Sequence, residues 1–443
     1  MFSNKALRSL IIPLIIEQFL VISLGIFDTV MVTSVGESAM SGVSLVDMLN
    51  VLVIDIFAGL ATGGAVVAAH YLGAGNDRGA SRSGTQLILL AAFLGGAVAV
   101  IVIVFASPIL RLLFGTVEAD VMASALTYLK ITALSFPFIS VSNAAAALFR
   151  SMGNSRISMY SSLIINIINV LGNSVFIFVF HWGVAGAALS TVISRMISML
   201  WLFIKLCRKD QRISVSVRHM MPDFSVMKKI LYIGVPSGFE SSMFQLGRVI
   251  VVTLIATFGT AQIAANAMAN NLDAFGCIPG KGIQLAAITV VGQCVGAGLT
   301  DEAKAYTKKL LKITYILTAA VNLTVMATLP LTLSFYNVSD EAKNLGAILV
   351  LIHTGFAMLL WPLSFVMPNA LRAGGDVKFT LAVSVFSMWV FRIVFSYIFG
   401  GTMGLGAIGV WIAMVMDWLF RSVMFLCRFH SGKWLHESLA KKR

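Results

Sequence analysis

Between Ile11 and Gly36 the chain runs through about 26 mostly apolar residues, IIPLIIEQFLVISLGIFDTVMVTSVG, interrupted by one proline and two carboxylates. At a rise of about 1.5 Å per residue, such a run makes a helix able to cross a hydrocarbon core of about 30 Å. An aspartate at mid-depth costs roughly 2.5–3.5 kcal/mol, so an acid inside the span marks a candidate functional site. Glu17 and Asp28 are 11 residues apart. At about 100° per residue they share nearly one helix face, separated by about 16 Å along the axis. The rest of the chain has to shelter that acidic face.

The same kind of run recurs. Twelve candidate spans cover roughly 7–33, 45–71, 84–113, 121–148, 157–180, 184–207, 226–257, 265–292, 304–333, 342–370, 378–400 and 406–430. With 58% hydrophobic and 12% charged residues, the chain is far from a soluble domain, which carries about 25% charged residues. Long continuous apolar runs also exclude a porin-like barrel, whose segments are short and alternating. The sequence therefore specifies an all-α polytopic membrane protein whose first partner is the lipid bilayer. A net charge of +13 raises nucleic acid as a partner, but the basic residues cluster in short loops between the runs. Arg78 and Arg82, Arg150 and Arg156, Lys205 to Lys229, Lys304 to Lys312, and Arg372 with Lys378 fall on one side. The other side holds Arg111 and Lys343 beside Glu37, Glu118, Asp120, Asp340 and Glu341. This is the positive-inside pattern. It excludes nucleic acid and predicts both termini in the cytoplasm of a bacterial or archaeal cell, with the spans in its plasma membrane. The first run is too long for a cleavable signal peptide and lacks a small-residue cleavage site.

The polar connection 208–225 divides the chain almost in half, giving an N-terminal lobe 1–207 and a C-terminal lobe 226–443 of six spans each. The halves repeat. At an offset of 223, Pro13 falls on Pro236, Glu17 on Glu240, Gly36 on Gly259, and Gly73-Ala74-Gly75 on Gly296-Ala297-Gly298. Gly183 and Gly186 meet Gly406 and Gly409, while Arg150 and Gly153 match Arg372 and Gly375 at 222. Proline and glycine punctuate backbone geometry, so a constant offset at those residues signals a duplicated fold. An even number of spans per half makes the repeat parallel, with a cavity expected where the lobes meet and alternating access by their relative motion.

Residues shared by the repeat build the fold, and chemistry can sit where it is broken. Asp28 corresponds to Val251, Asp55 to Ile278, Asn169 to Arg392 and Asn173 to Ser396. Asn169 and Asn173 are four apart and share a face of span 5. Carboxylates and amides offer oxygen ligands to a sodium ion or a place to exchange a proton. Asp28, Asp55, Asn169 and Asn173 are therefore the cation-coupling candidates, with a sodium site near Asp28 as the one metal reading. The alternative role for the asparagines is helix-to-helix bonding. Glu17, Glu240 and Lys281 are the cavity or substrate candidates. Arg248 and Asp273 read as members of an ion-pair network, since Glu240 to Arg248 and Asp273 to Lys281 each span eight residues. Gly59-x-x-x-Gly63 and Gly276-x-x-x-Gly280 are small-residue packing patterns. Asn337-Val338-Ser339 is a glycosylation sequon on an outer loop. The four cysteines read as unpaired apolar residues, and neither they nor the six histidines show metal-ligand spacing. No nucleotide-binding glycine-lysine loop is present, so ATP-driven pumping by this chain is not expected; no cofactor is assigned.

Taken together, Pro13 through Asp28-Thr29-Val30-Met31 to Gly36, Tyr71-Leu72-Gly73-Ala74-Gly75, Leu148-Phe149-Arg150-Ser151-Met152-Gly153-Asn154 and Gly234-Val235-Pro236 form an ordered pattern over twelve spans. In that pattern the chain resembles the multidrug and toxic compound extrusion (MATE) transporters. The resemblance implies a monomeric exporter of amphipathic, often cationic compounds, driven by inward sodium or proton movement through V-shaped outward-open and inward-open states. It matches Asp28 to the family's span 1 coupling aspartate and Asn169 to its span 5 asparagine. One branch has an aspartate where this chain has Asn173. Another has a span 7 glutamate where this chain has Phe244, and a span 10 acid that is absent between His353 and Leu371. Asn173 lacks the charge that would help hold sodium against water, so protons are the preferred coupling ion. Two other readings remain: a flippase for lipid-linked saccharides of the same superfamily, and a membrane-embedded enzyme or receptor. The flippase would line its cavity with arginines, of which the first half offers few. The enzyme would need a convergent catalytic set, which the sequence does not contain.

Overall fold

The computed structural model describes residues 1–115, 117–215, 221–336, 338–435 and 439. Linker residues 216–220, the sequon asparagine Asn337 and His436 lie outside the described residues. The described chain is helical, with one isolated β-bridge between Gly375 and Leu435. Its first half holds α1 (Asn4–Thr33), α2 (Glu37–Gly73), α3 (Asp77–Val104), α4 (Ala106–Phe114), α5 (Ala119–Ala133), α6 (Phe136–Ser151), α7 (Ser155–Asn173) and α8 (Gly183–Leu206). The second half holds α9 (Phe224–Ala256), α10 (Thr260–Gly276), α11 (Ile278–Gly296), α12 (Thr300–Ser334), α13 (Asp340–Trp361), α14 (Met367–Ala373), α15 (Val377–Ser387) and α16 (Gly406–His430). Among the described residues eleven helical stretches are long and apolar enough to cross a membrane, and the bent pair α5 and α6 makes the twelfth.

The spans depart from straight rods at identifiable residues. The α5–α6 pair bends by 49° at Leu134 and Ser135. α2 runs unbroken from Glu37 to Gly73, whereas its counterpart in the repeat is split at Cys277 into α10 and α11. Pro279, which stands where the first half has Ile56, cannot donate a backbone hydrogen bond and opens the second piece. α2 also begins eight residues before the start read from hydropathy. Its first turns are polar and small, and Gly42 lies directly against the α5 backbone, 2.8 Å from the Val121 carbonyl for an added Cβ.

Two compact units make up the chain: Ser3–Gly238, and Phe239–Arg443 with Met1–Phe2. In the first, α1 lies along α7, α2 packs on α3, α5 and α6, and α7 packs on α8. Val32, Val43, Val46, Leu110, Tyr128, Leu129 and Ala188 close its core near the α1–α2 turn. The stem of α9 up to Gly238 presses on α2: a Cβ on Gly59 would overlap the Gly238 backbone, and one on Gly63 would overlap Ile230 and Gly234. Gly59-x-x-x-Gly63 is therefore answered by Gly234-x-x-x-Gly238, the close backbone approach that small residues permit. In the second unit α10 packs on α13, α11 on α12 and α14, and α13 on α16.

The repeat is visible in the backbone itself. Gly36 (φ 138°) and Gly259 (φ 106°) take the same left-handed turn between the first two helices of each half. Asn173 and Ser396 each lead into π-helical segments, Ser174–Val179 and Tyr397–Thr402, which are again 223 residues apart. Large apolar side chains such as Phe93, Leu112 and Leu359 are exposed, as expected where the bilayer is their solvent.

Candidate functional site

α1 turns both its acids toward α7. Asp28 accepts from Asn173 Nδ2 at 2.7 Å, and Asn173 Nδ2 also reaches Asn169 Oδ1 at 3.2 Å. Asn169 Nδ2 in turn donates to Thr191 Oγ1 of α8 at 3.3 Å. Spacing of four on α7 places both amides on one face, and the start of the π-helical segment directly after Asn173 re-aims that face. The result is a buried relay, Thr191 to Asn169 to Asn173, that ends on a half-buried carboxylate. Asn173 Oδ1 is buried and has no hydrogen-bond partner among the described residues. Asp28, Asn169 and Asn173, grouped by the sequence as cation-coupling candidates, are hydrogen-bonded neighbours.

Three further groups complete the cluster. Asp47 of α2 bonds Asn50 (3.3 Å) and the Tyr128 hydroxyl of α5, and lies within electrostatic reach of Asp28. Arg195 of α8 faces Asp28, Asp47 and Tyr128. Its Nη1 donates to Ser135 Oγ at 2.8 Å, so the bend between α5 and α6 holds the guanidinium in place. One guanidinium against two carboxylates leaves a formal charge of −1 when both acids are ionised. Asp55 lies eight residues further along α2 and is half-buried. Asp47 and Arg195 both carried a sequence signal. Asp47 sits just inside the start of span 2, and Arg195 is a guanidinium well within an apolar run, a placement that itself marks a site.

Glu17 and Glu240 belong to a different arrangement, one per unit. Glu17 Oε1 accepts from Arg150 Nη1 at 2.9 Å and Oε2 from Ser158 Oγ at 2.5 Å. Glu240 Oε1 accepts from Arg372 Nη2 at 2.6 Å, with Arg421 Nη2 at 3.9 Å. The acids and the arginines are repeat-related, so these pairs tie the first helix of each half to the end of its fourth span. Glu240 does not meet Arg248; that guanidinium bonds its own neighbour Gln245 at 3.5 Å.

The second unit carries its own polar set. Asp417, fully buried, accepts from Ser387 Oγ at 2.5 Å and lies 3.7 Å from Arg392. Arg392 stands over the Phe244 ring at 5.5 Å. Lys281 is exposed and acts on Asp273 electrostatically. Asp273 itself contacts His353 Nε2 and accepts from Cys277 Sγ at 3.2 Å. Cysteine and histidine spacing in the sequence did not foretell this trio, because His353 comes from α13 while Asp273 and Cys277 lie at the end of α10.

A family model described as MatE matches residues 13–175 and 236–398, two ranges offset by the same 223 residues as the internal repeat. The chain is 27% identical to the uncharacterized transporter YisQ of Bacillus subtilis, over 98% of this chain and 96% of that protein. It is 24% identical to the probable multidrug resistance protein NorM of Thermotoga maritima, over 97% and 93% of the two chains. A solved multidrug resistance MATE family transporter of the MOP superfamily, in an outward-facing conformation, shares its fold. The TM-score is 0.90 at 22% identity, over 97% of this chain and 96% of that one.

Proposed function

Since the chain belongs to the MatE family of membrane transporters, we propose that it is a secondary active exporter of amphipathic cationic compounds, coupled to protons at Asp28. Transport proceeds by alternating access of two six-helix lobes, 1–207 and 226–443, in a monomer within the cytoplasmic membrane, both termini facing the cytoplasm. The multidrug names of relatives such as NorM support the substrate class, and the clustering of Lys and Arg in one set of loops supports the orientation.

The observation that carries the coupling assignment is the relay from Thr191 through Asn169 and Asn173 to Asp28. Asn173 Nδ2 donates to that carboxylate and also reaches Asn169 Oδ1, which fixes the amide against Asp28, and the repeat places Val251, a buried hydrocarbon, at the equivalent position. A proton needs only that carboxylate. A sodium ion would want several oxygens turned to one point, whereas Asn169 Oδ1 and Thr191 Oγ1 already accept hydrogen bonds, so that Asn173 Oδ1 is the one amide or hydroxyl oxygen of the relay without a donor among the described residues. Asp55 is a further candidate for coupling and Lys281 for substrate contact.

Asp28→Asn is expected to abolish ethidium efflux from cells while expression and monodispersity stay normal. Normal efflux by well-expressed Asp28→Asn removes the residue from the mechanism. In sealed proteoliposomes without sodium, an imposed pH gradient is expected to drive drug movement against the proton flow. Movement driven by a sodium gradient and not by a pH gradient overturns the proton assignment.

A further inference from the structure

The break in span 8 creates a second constellation, independent of the exchange reaction proposed for Asp28. Pro279 ends the continuous helix, and Cys277 is left as the single residue between α10 and α11. Its Sγ folds back one turn to Asp273 Oδ1 at 3.2 Å. From α13, His353 brings Nε2 against the same carboxylate. An oxygen, a sulfur and a nitrogen thus lie within 4.8 Å of one another, and no other group of three His, Cys, Asp or Glu among the described residues does so. The imidazole is 1% exposed and lacks a hydrogen-bond partner at Nδ1 among the described residues. Trp411 and Trp418 hold it edge to face, at 5.9 and 5.0 Å between centroids. Those rings fix its orientation without offering a lone pair. Cys277 is buried, while the Asp273 side chain is 23% exposed and supplies the way in. In the first half the equivalent places hold Asn50 and Ile54, so the trio belongs to the second half alone.

We propose that Asp273, Cys277 and His353 form a binding site for a divalent transition-metal ion of the zinc class. Mixed thiolate, imidazole and carboxylate ligation selects such ions, whereas magnesium and calcium take oxygen throughout. Three protein ligands leave the fourth tetrahedral position open on the side where Asp273 is exposed. On binding, the Cys277 S–H bond breaks, a sulfur–metal bond forms and the proton leaves to solvent. The Asp273 carboxylate and a His353 nitrogen lone pair complete the set with no change of oxidation state. Lys281 acts electrostatically on Asp273, and Lys281 and Arg248 on Cys277. They oppose a free dication, but two anionic ligands make the bound complex formally neutral and remove that repulsion to first order.

The test uses full-length protein in detergent, stripped with chelator, with Cys207→Ser, Cys294→Ser and Cys427→Ser leaving Cys277 as its one thiol. Cobalt(II) titration is expected to raise a sulfur-to-cobalt charge-transfer band that saturates at one ion per chain and disappears when zinc is added. An indicator dye in weak buffer should report proton release with the same stoichiometry. His353→Gln and Asp273→Asn should each weaken cobalt binding by at least about tenfold, because even outer-shell changes cost that much. If the three-serine protein is not monodisperse, the comparison is wild type against Cys277→Ser, with the band expected in the first and absent in the second. A monodisperse protein without the band, or an undiminished affinity in His353→Gln, overturns the site.

Discussion

Removing Arg150 tests how much the repeat-related ion pair within each half contributes to the stability of that half. The Glu17 and Arg150 side chains are 9% and 14% exposed, and Glu17 has both oxygens occupied, one by Arg150 and one by Ser158. Arg150→Met leaves that carboxylate buried with the serine alone. Breaking a buried pair from one side costs about 3–5 kcal/mol, most of it the uncompensated charge. At about 2–4 °C per kcal/mol for a unit of this size, the melting temperature should fall by on the order of 10 °C. The second half is built differently. Arg421 Nη2 already stands 3.9 Å from Glu240, and its Nε and Nη1 have no hydrogen-bond partners among the described residues, so it can take over when Arg372 is lost. Arg372→Met should therefore cost only about 1.5–3 kcal/mol, the value of one hydrogen bond to a charged group. Glu17→Leu combined with Arg150→Met removes both charges and should recover most of the loss. The assay is thermal unfolding of detergent-solubilised protein followed by intrinsic fluorescence. Equal drops for Arg150→Met and Arg372→Met, or a double variant worse than Arg150→Met, would refute this reasoning.

Other consequences can be checked in the same preparations. Gly59→Leu drives a side chain into the Gly238 backbone; overpacking of about 1–3 kcal/mol or more should appear as lost expression or early aggregation, whereas Gly96→Ala, with open space around it, should be silent in both. Thr191→Val keeps the shape but strands the Asn169 Nδ2 donor, so about 1–3 kcal/mol of stability should disappear together with part of the efflux activity. Asn173→Asp places a second carboxylate beside Asp28 and is expected to shift drug transport in proteoliposomes from pH-driven toward sodium-stimulated, read by comparing the two imposed gradients.

The sequence by itself determined the class of fold and its duplication. Span length, hydropathy and the position of basic loops are local properties, and a constant offset between Pro13 and Pro236 or Gly36 and Gly259 survives because backbone punctuation tolerates little change. It also grouped Asp28, Asn169 and Asn173 as candidates, since amides four apart must share a helix face and the repeat isolates Asp28 against Val251. What periodicity could not decide was which helices meet. Asp47 and Arg195 join Asp28 only because α2 and α8 flank it, with the bend at Ser135 anchoring the guanidinium. Glu17 and Glu240, isolated acids in the sequence, become paired only through Arg150 and Arg372, more than a hundred residues away. Cys277 and His353 meet at Asp273 only because Pro279 breaks one span and α13 packs beside it. Contacts between distant helices depend on how side chains fill the space among them, and that information appears in no single stretch of the chain.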